Sequence, residues 1–321
     1  LLLVIAGCTN DDIASEQPNP EAEKGKLTLT ASVPKESPQT RLSLEQQAGG
    51  LDIIVKWKAE IDEIKSFFKQ GDVLKEGTTV TLTQDAISAD GKSATFTVDI
   101  PDGIDSQNAY TLYAVHGAWD AYLDAGKINV VVLPFGFLRL NGLVRTPIAG
   151  EVEVAAGASI GSINFEHLGT LQCLTIKNAS DSDFTFNSTY SSLVNEEGTS
   201  WFYNYSVEED IKAPVYDLIG KQVANEFTIN VLPSSTTTLH PGYDVGCLFA
   251  QWVMPKDIPT PAIRLKLVTQ GGDIFSVNSK PARGSALQKG RAYHLYALWD
   301  GSKLYFTNAS FNPPPVGDLM H

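Results

Sequence analysis

The chain has 321 residues, 43% of them apolar, and 24 Lys plus Arg against 37 Asp plus Glu give a formal net charge of −13. This apolar content excludes a disordered chain, and the length fits two domains of about 130–150 residues. The acidic balance argues against nucleic acid or an anionic membrane surface as partner, and three Cys and five His exclude a disulfide-dense scaffold and a Cys-rich zinc site.

Leu1-Leu2-Leu3-Val4-Ile5-Ala6-Gly7-Cys8 is an apolar run that ends in two small residues and a Cys. With neither Met nor a basic leader ahead of it, residues 1–8 are expected to be part of a signal peptide. Ile5-Ala6-Gly7-Cys8 resembles a bacterial lipobox, with Ile5 where Leu is usual, so Cys8 is the expected lipid-bearing residue. The alternative is a plain secretory signal in which Cys8 is incidental. Residues 9–25 carry Asp11, Asp12, Glu16, Glu21 and Glu23 with Pro18 and Pro20, and almost nothing to bury. They read as an extended tether. Acidic residues close behind such a Cys resemble the surface-export signal of Bacteroidetes lipoproteins. No apolar run in the sequence is long enough to cross a membrane as a helix.

From Lys26 the apolar period is two. In Leu27-Thr28-Leu29-Thr30-Ala31-Ser32-Val33 the odd positions are apolar and the even ones carry hydroxyls, which predicts a half-buried strand stopped by Pro34. Strands are also expected at 79–83, 94–100, 110–115, 128–133, 171–177, 227–232, 246–253, 263–268 and 293–299. These runs are rich in Val, Ile, Thr, Tyr and Phe and are separated by Gly, Pro, Asn and Asp. Within Trp57–Gln70, Ile61, Ile64, Phe67 and Phe68 fall at helical spacing, and helix and strand both remain open there. Asn141–Gly161 is rich in Gly, Ala and Pro and is expected to hold the domain junction, with Ile163-Asn164-Phe165 as the first strand beyond it. Asp300-Gly301 predicts a tight hairpin between 293–299 and the segment from Lys303 to Phe311. The expected organisation is an N-terminal antiparallel β-sandwich over 26–155, a second over 156–311 and a Pro-rich tail over 312–321.

Several local patterns then recur in a recognisable order: Thr40-Arg41 before Trp57, Asp62-Glu63-Ile64, Ser93–Val98 ending at Pro101, Tyr110–Ala114, Phe165-Glu166-His167-Leu168 before Leu171–Ile176, and Gly290-Arg291-Ala292-Tyr293. In this order, behind a lipobox, they resemble the fimbrillin-like lipoproteins of Bacteroidales, the subunits of type V pili. The resemblance covers nearly the whole chain after Lys26. It implies two tandem β-sandwiches of transthyretin-like topology, export as a surface lipoprotein of the outer membrane, and assembly into a fimbrium. In that family a protease specific for Arg or Lys removes the first strand of stalk subunits, and the emptied groove accepts a strand from another subunit. Here the resemblance makes Arg41 or Lys35 the candidate cleavage position. Leu27, Leu29, Ala31 and Val33 become the knobs of the removable strand. Two features depart from the family: Trp57 and Asp62 stand one residue further apart, and Pro313-Pro314-Pro315 cannot pair as a strand.

The chemistry-bearing residues point away from an enzyme. Cys173 and Cys247 lie in apolar runs and read as small buried hydrophobes, a disulfide between them remaining open. The His residues are isolated, and no nucleophile elbow or phosphate loop is present in the sequence. No cofactor and no metal is expected. The expected function is a non-enzymatic, surface-anchored fimbrial subunit, an anchor, tip or accessory rather than a stalk. Its expected partners are other fimbrial subunits, outer-membrane lipid through Cys8, and a host or microbial surface glycan or protein. The rival is a monomeric glycan-binding surface lipoprotein, with Trp201, Tyr203 and Tyr205 on one face of a strand as a stacking platform, although the alternation fits a sandwich core, with Phe202 on the opposite side, better.

Overall fold

The alternating runs do form strands, and the described part of the protein is all-β. The structure, a computed structural model, describes residues 25–34, 56–60, 62–132, 138–139, 146–196, 205–207, 210–230, 236–241 and 247–308. No α-helix occurs among them, and one 3-10 turn spans Gln84–Ala86. The strands in chain order begin with β1 (Lys26–Ser32), β2 (Glu63–Gln70), β3 (Val73–Thr81), β4 (Ser93–Asp99), β5 (Tyr110–His116), β6 (Asp120–Asp124) and β7 (Lys127–Val131). Next come β8 (Leu138–Arg139), β9 (Ile148–Val154), β10 (Ile160–His167), β11 (Thr170–Asn178), β12 (Phe184–Asn195), β13 (Tyr205–Val207) and β14 (Asp210–Asp217). The last are β15 (Gln222–Asn230), β16 (Thr236–Leu239), β17 (Cys247–Val253), β18 (Ile263–Thr269), β19 (Gly272–Phe275), β20 (Ala292–Trp299) and β21 (Leu304–Thr307).

The first sheet runs β3-β2-β5-β9-β10-β1-β4. Its path turns at β10, where Ile160–Asn164 pair with β1 and Phe165–His167 pair with β9. The sheet thereby folds over one core made of Leu27, Leu29 and Ala31 with Phe96, Val98, Ile64, Phe68, Leu112, Ile163 and Phe165. The opposite face of β2, β5 and β9 offers Phe67, Tyr113, Val115 and Ala149 to Ile128, Val130 and Tyr216 of a further sheet, β13-β14-β7-β6, with β15 on β14. A third core lies between β21-β20-β11-β17-β8 and β16-β12-β18-β19, where Leu174, Ile176 and Phe249 meet Phe186, Leu265 and Leu267. Most pairs are antiparallel, but β1 with β10 and β11 with β20 are parallel. The expectation of purely antiparallel sheets is corrected there. Strands far apart in sequence, joined by long connections, are free to pair in either sense.

The structure resolves the choice within Trp57–Gln70 in favour of a strand. Phe68 and Ile64 face the first core while Phe67 faces the second, so burial on both faces produced a helix-like spacing. The Gly-rich stretch expected to hold the junction contains β9, a central strand paired with β5 along its whole length. Gly150 sits there because a Cβ would come within 2.7 Å of Asn164 O and 2.8 Å of the Ile163 side chain. The glycine marks a close backbone approach rather than a linker. Ile163-Asn164-Phe165, expected to open the second domain, lies in β10 and pairs within the first sheet. The hairpin at 300–301 is present: Trp299 pairs with Leu304, Asp300 N–H donates to Lys303 O at 3.1 Å, and Gly301 takes a φ of 98°. The tip is Gly301-Ser302, with Asp300 Oδ1 accepting from the Ser302 and Lys303 amides at 2.8 and 2.7 Å.

Gly150→Val should force β9 and β10 apart and cost about 1–3 kcal/mol of stability, read as a lower urea midpoint, whereas Gly284→Ala, where a Cβ meets nothing within 4 Å, should cost less.

Candidate functional site: strand β1 and its groove

β1 is short, one-faced and central. Each apolar knob meets an apolar partner on β4: Leu27 stands against Val98, Leu29 against Phe96 and Ala31 against Ala94. On the other side Ala31 stands against Ile163 of β10, and Leu29 against Gly161, whose missing side chain leaves room for the Leu29 methyl 3.1 Å from where a Cβ would be. Leu27, Leu29 and Ala31 are 0% exposed, and Val33 is half-buried against the same core. Full burial of one Leu contributes about 1.5–3 kcal/mol, so Leu27 and Leu29 together contribute roughly 3–6 kcal/mol. The hydroxyl face is the outer one, where Thr28 and Thr97 Oγ1 atoms lie 2.9 Å apart.

Backbone bonds lock the register at both ends. Ile100 N–H donates to Gly25 O at 2.7 Å, Val33 N–H to Lys92 O at 3.0 Å, and Thr28 N–H to Ser159 O at 2.9 Å. β1 is thus hydrogen-bonded along both edges, to strands more than sixty residues away in sequence. Along the sheet β4 has no other strand partner among the described residues. Without β1, β4 and the facing half of β10 would present unpaired backbone groups and a row of apolar pockets.

The same core contains a buried polar corner. Trp57 packs edge-on against Phe165 at 5.4 Å and against His116 at 5.2 Å. The Asp62 carboxylate accepts from Lys58 N–H at 2.6 Å and lies 3.6 Å from His116 Nε2, while His116 Nδ1 bonds Glu63 O at 2.9 Å. Burial raises the Asp62 pKa against the opposing pull of His116. Sequence reasoning quoted Asp62 only as a motif letter and missed its pairing with His116, because Asp62 precedes β2 and His116 ends β5, far apart in sequence. At the other side of the core the His167 ring stacks on Trp252 at 4.9 Å, and its Nδ1 has no hydrogen-bond partner among the described residues. Burial pushes the His167 pKa down to about 4.

Of the residues singled out in the sequence, Cys8, Lys35, Arg41, Trp201 and Tyr203 lie outside the described residues, and Tyr205 opens β13 opposite Lys212. The structure brings Leu27, Leu29, Ala31 and Val33 together in one core. Cys173 and Cys247 lie on opposite faces of one sheet and form no disulfide with each other. Cys173 packs into the first core, and Cys247, paired with Ile176, lies against the third. Full burial raises the Cys173 pKa, which keeps it protonated and unreactive. Trp252 is a core residue, while Trp119 is 47% exposed. Among the described residues no group of three or more His, Cys, Asp or Glu side chains is placed to hold a metal ion.

No family model and no curated protein matches the chain. Solved chains do resemble it. A candidate cell adhesion protein from Bacteroides uniformis is 14% identical over 88% of this chain and 96% of that one, with a TM-score of 0.46. Another from Bacteroides ovatus is 11% identical over 88% and 95%, with a TM-score of 0.45. The tip fimbrial protein Mfa3 from Porphyromonas gingivalis, C-terminally truncated, is 7% identical over 88% and 98%, with a TM-score of 0.35. The first two are candidate cell adhesion proteins and the third a fimbrial protein, all from Bacteroidales.

Two outcomes are expected here. Leu29→Ala should destabilise the protein by about 2–5 kcal/mol in urea titration, while Thr30→Ala, on the exposed face of the same strand, should change it by less than about 0.5 kcal/mol. His167, with its lowered folded pKa, contributes stability that is complete above about pH 6.5 and is lost as pH falls through about 4. The loss amounts to about 3 kcal/mol at most. His167→Phe keeps the stack on Trp252, so the variant should lose less Tm than wild type over that window.

Proposed function

We propose that the chain is a non-enzymatic, fimbrillin-like subunit held at the cell surface by lipid on Cys8 until β1, which lies on the same side of the cut as Cys8, is exchanged in assembly. The observation that carries this reading is the position of β1: a central strand with three fully buried knobs, paired on both sides to sequence-distant strands. Such a strand is held by the chain only at its ends. A cut after Lys35 or Arg41 would leave it bound by hydrogen bonds and knobs alone, and a foreign strand with the same alternation could then take its place. In this reading the first and third cores are the two tandem sandwiches of transthyretin-like topology. The first unit extends beyond residue 155 to include β10, and the tether of 9–25 joins it to the lipid.

An acceptor role without a donor role is favoured by the C-terminal end. Leu304–Thr307 pairs with β20 inside its own sheet, across a two-residue tip that closes at little entropic cost. The free edge of β21 is also occupied. Asn278 Nδ2 donates to Phe306 O at 2.9 Å, Phe306 N–H donates to Asn278 Oδ1 at 2.7 Å, and Val277 N–H donates to Leu304 O at 2.8 Å. A subunit that accepts but does not donate ends a fibre, which suits an anchor, tip or accessory.

Native trypsin titration with intact-mass readout tests the proposal. The earliest cut should fall after Arg41 or Lys35, and the remaining chain should keep its thermal transition. A first cut elsewhere, or a first cut that unfolds the protein, would count against it.

A further inference from the structure

The edges of the sheets are treated unequally. That of β21 is closed by Asn278 and Val277. β6 is five residues long with Asp120 and Asp124 at its ends, and β19 is four residues long with Asp273 paired to Lys266 at 2.7 Å. β3 carries Lys75 and Glu76 and a register shift. Of these devices β15 shares only a register shift, at Ala224, where it passes the Val215–Tyr216 step of β14. It is nine residues long, and its only strand partner among the described residues is β14. From Gln222 to Asn230 it contains no Pro, no Lys or Arg and one charge, Glu226. Residues 224–228 are all exposed, so both faces of the strand meet solvent, and Phe227 is 42% exposed. A long, nearly neutral edge strand of this kind is a template for another strand.

We propose that β15 is a homotypic docking edge, pairing antiparallel with β15 of a second copy of this chain, independently of the β1 groove. The sequence of the strand selects this occupant. With Phe227 facing Phe227 on the two-fold axis, Glu226 faces Thr228 and Asn225 faces Ile229 in the regular stretch beyond Ala224, so the one charge never opposes itself. Glu226 is the one acidic residue of β15 and Asp210 pairs opposite Asn230 at its end, so a cationic peptide is the competing occupant that salt dependence separates. Each copy carries a formal −13, so the copies repel at long range. Salt screens that repulsion, and the dimer should therefore tighten as ionic strength rises, whereas binding to a cationic segment would loosen.

Sedimentation analysis of the full chain at about 0.05 M and about 0.5 M NaCl reads this directly. The expected result is a monomer–dimer equilibrium that tightens with salt and is weakened about tenfold or more by Phe227→Lys or Asn225→Lys, two exposed sites where the fold should be unaffected. In a Cys8→Ser background, Phe227→Cys should form a covalent dimer on oxidation. Directly paired antiparallel Cα atoms lie about 4.5–5.5 Å apart, within disulfide range. Asn225→Cys should not, because its own copy is displaced by about 14 Å along the strand. A monomer under all conditions, a dimer untouched by both Lys variants, equal cross-linking of the two Cys variants, or association that weakens with salt would each overturn the proposal.

Discussion

The seating of Leu27, Leu29 and Ala31 between β4 and β10 is the contact on which the first sheet depends. β4 reaches the rest of its sheet through β1, and β10 turns the sheet over the core by giving one half of its length to β1 and the other to β9. The seven residues of β1 therefore carry a burial and a hydrogen-bond ladder out of proportion to their length. The attachment is strong in free energy and simple in form, because it is a set of alternating pockets and two ladders rather than a network of specific polar contacts. Any strand with a similar alternation satisfies the same constraints.

The first and third cores are joined by a second strand with a different character. β11 is buried on both faces: Leu171 and Cys173 enter the core that β1 completes, and Leu174 and Ile176 enter the core below β12 and β18. Its neighbour β17 carries the same two-sided burden, with Trp252 in the first core and Phe249 and Val253 in the third. A change in the packing around β1 thus reaches one wall of the third core through β11. The buried pair of Asp62 and His116 and the stacked pair of His167 and Trp252 lie in the same region. Both respond to protonation, so the stability of the region depends on pH.

What the sequence revealed follows from how many faces each strand buries. β1 was legible because it buries one face and shows hydroxyls on the other, and its knobs are those read from the alternation. β2 was ambiguous because Phe67 and Phe68 serve different cores. β9 was hidden by Gly150, whose composition signal is that of a linker and whose role is to let two backbones meet. β14 contains Pro214, which reads as a strand breaker, yet it is buried and paired on both sides. Pairing between distant segments leaves no local trace, so neither the parallel partner of β1 nor the meeting of Asp62 with His116 could be read from spacing.

The two ends of the described chain suggest a division of labour. β1 is held by a form of contact that a foreign strand could reproduce, while β21 is closed in by its hairpin and by Asn278. Replacement of β1 in trans is the most direct measure of that division. Protein cleaved after Arg41 would be annealed with an excess of a labelled peptide spanning residues 25–34, beside a peptide carrying Leu29→Asp. The account predicts uptake of one native peptide per chain with release of the original strand, and none of the Leu29→Asp peptide. Cleaved protein that takes up neither peptide after annealing, or takes up both equally, would contradict it.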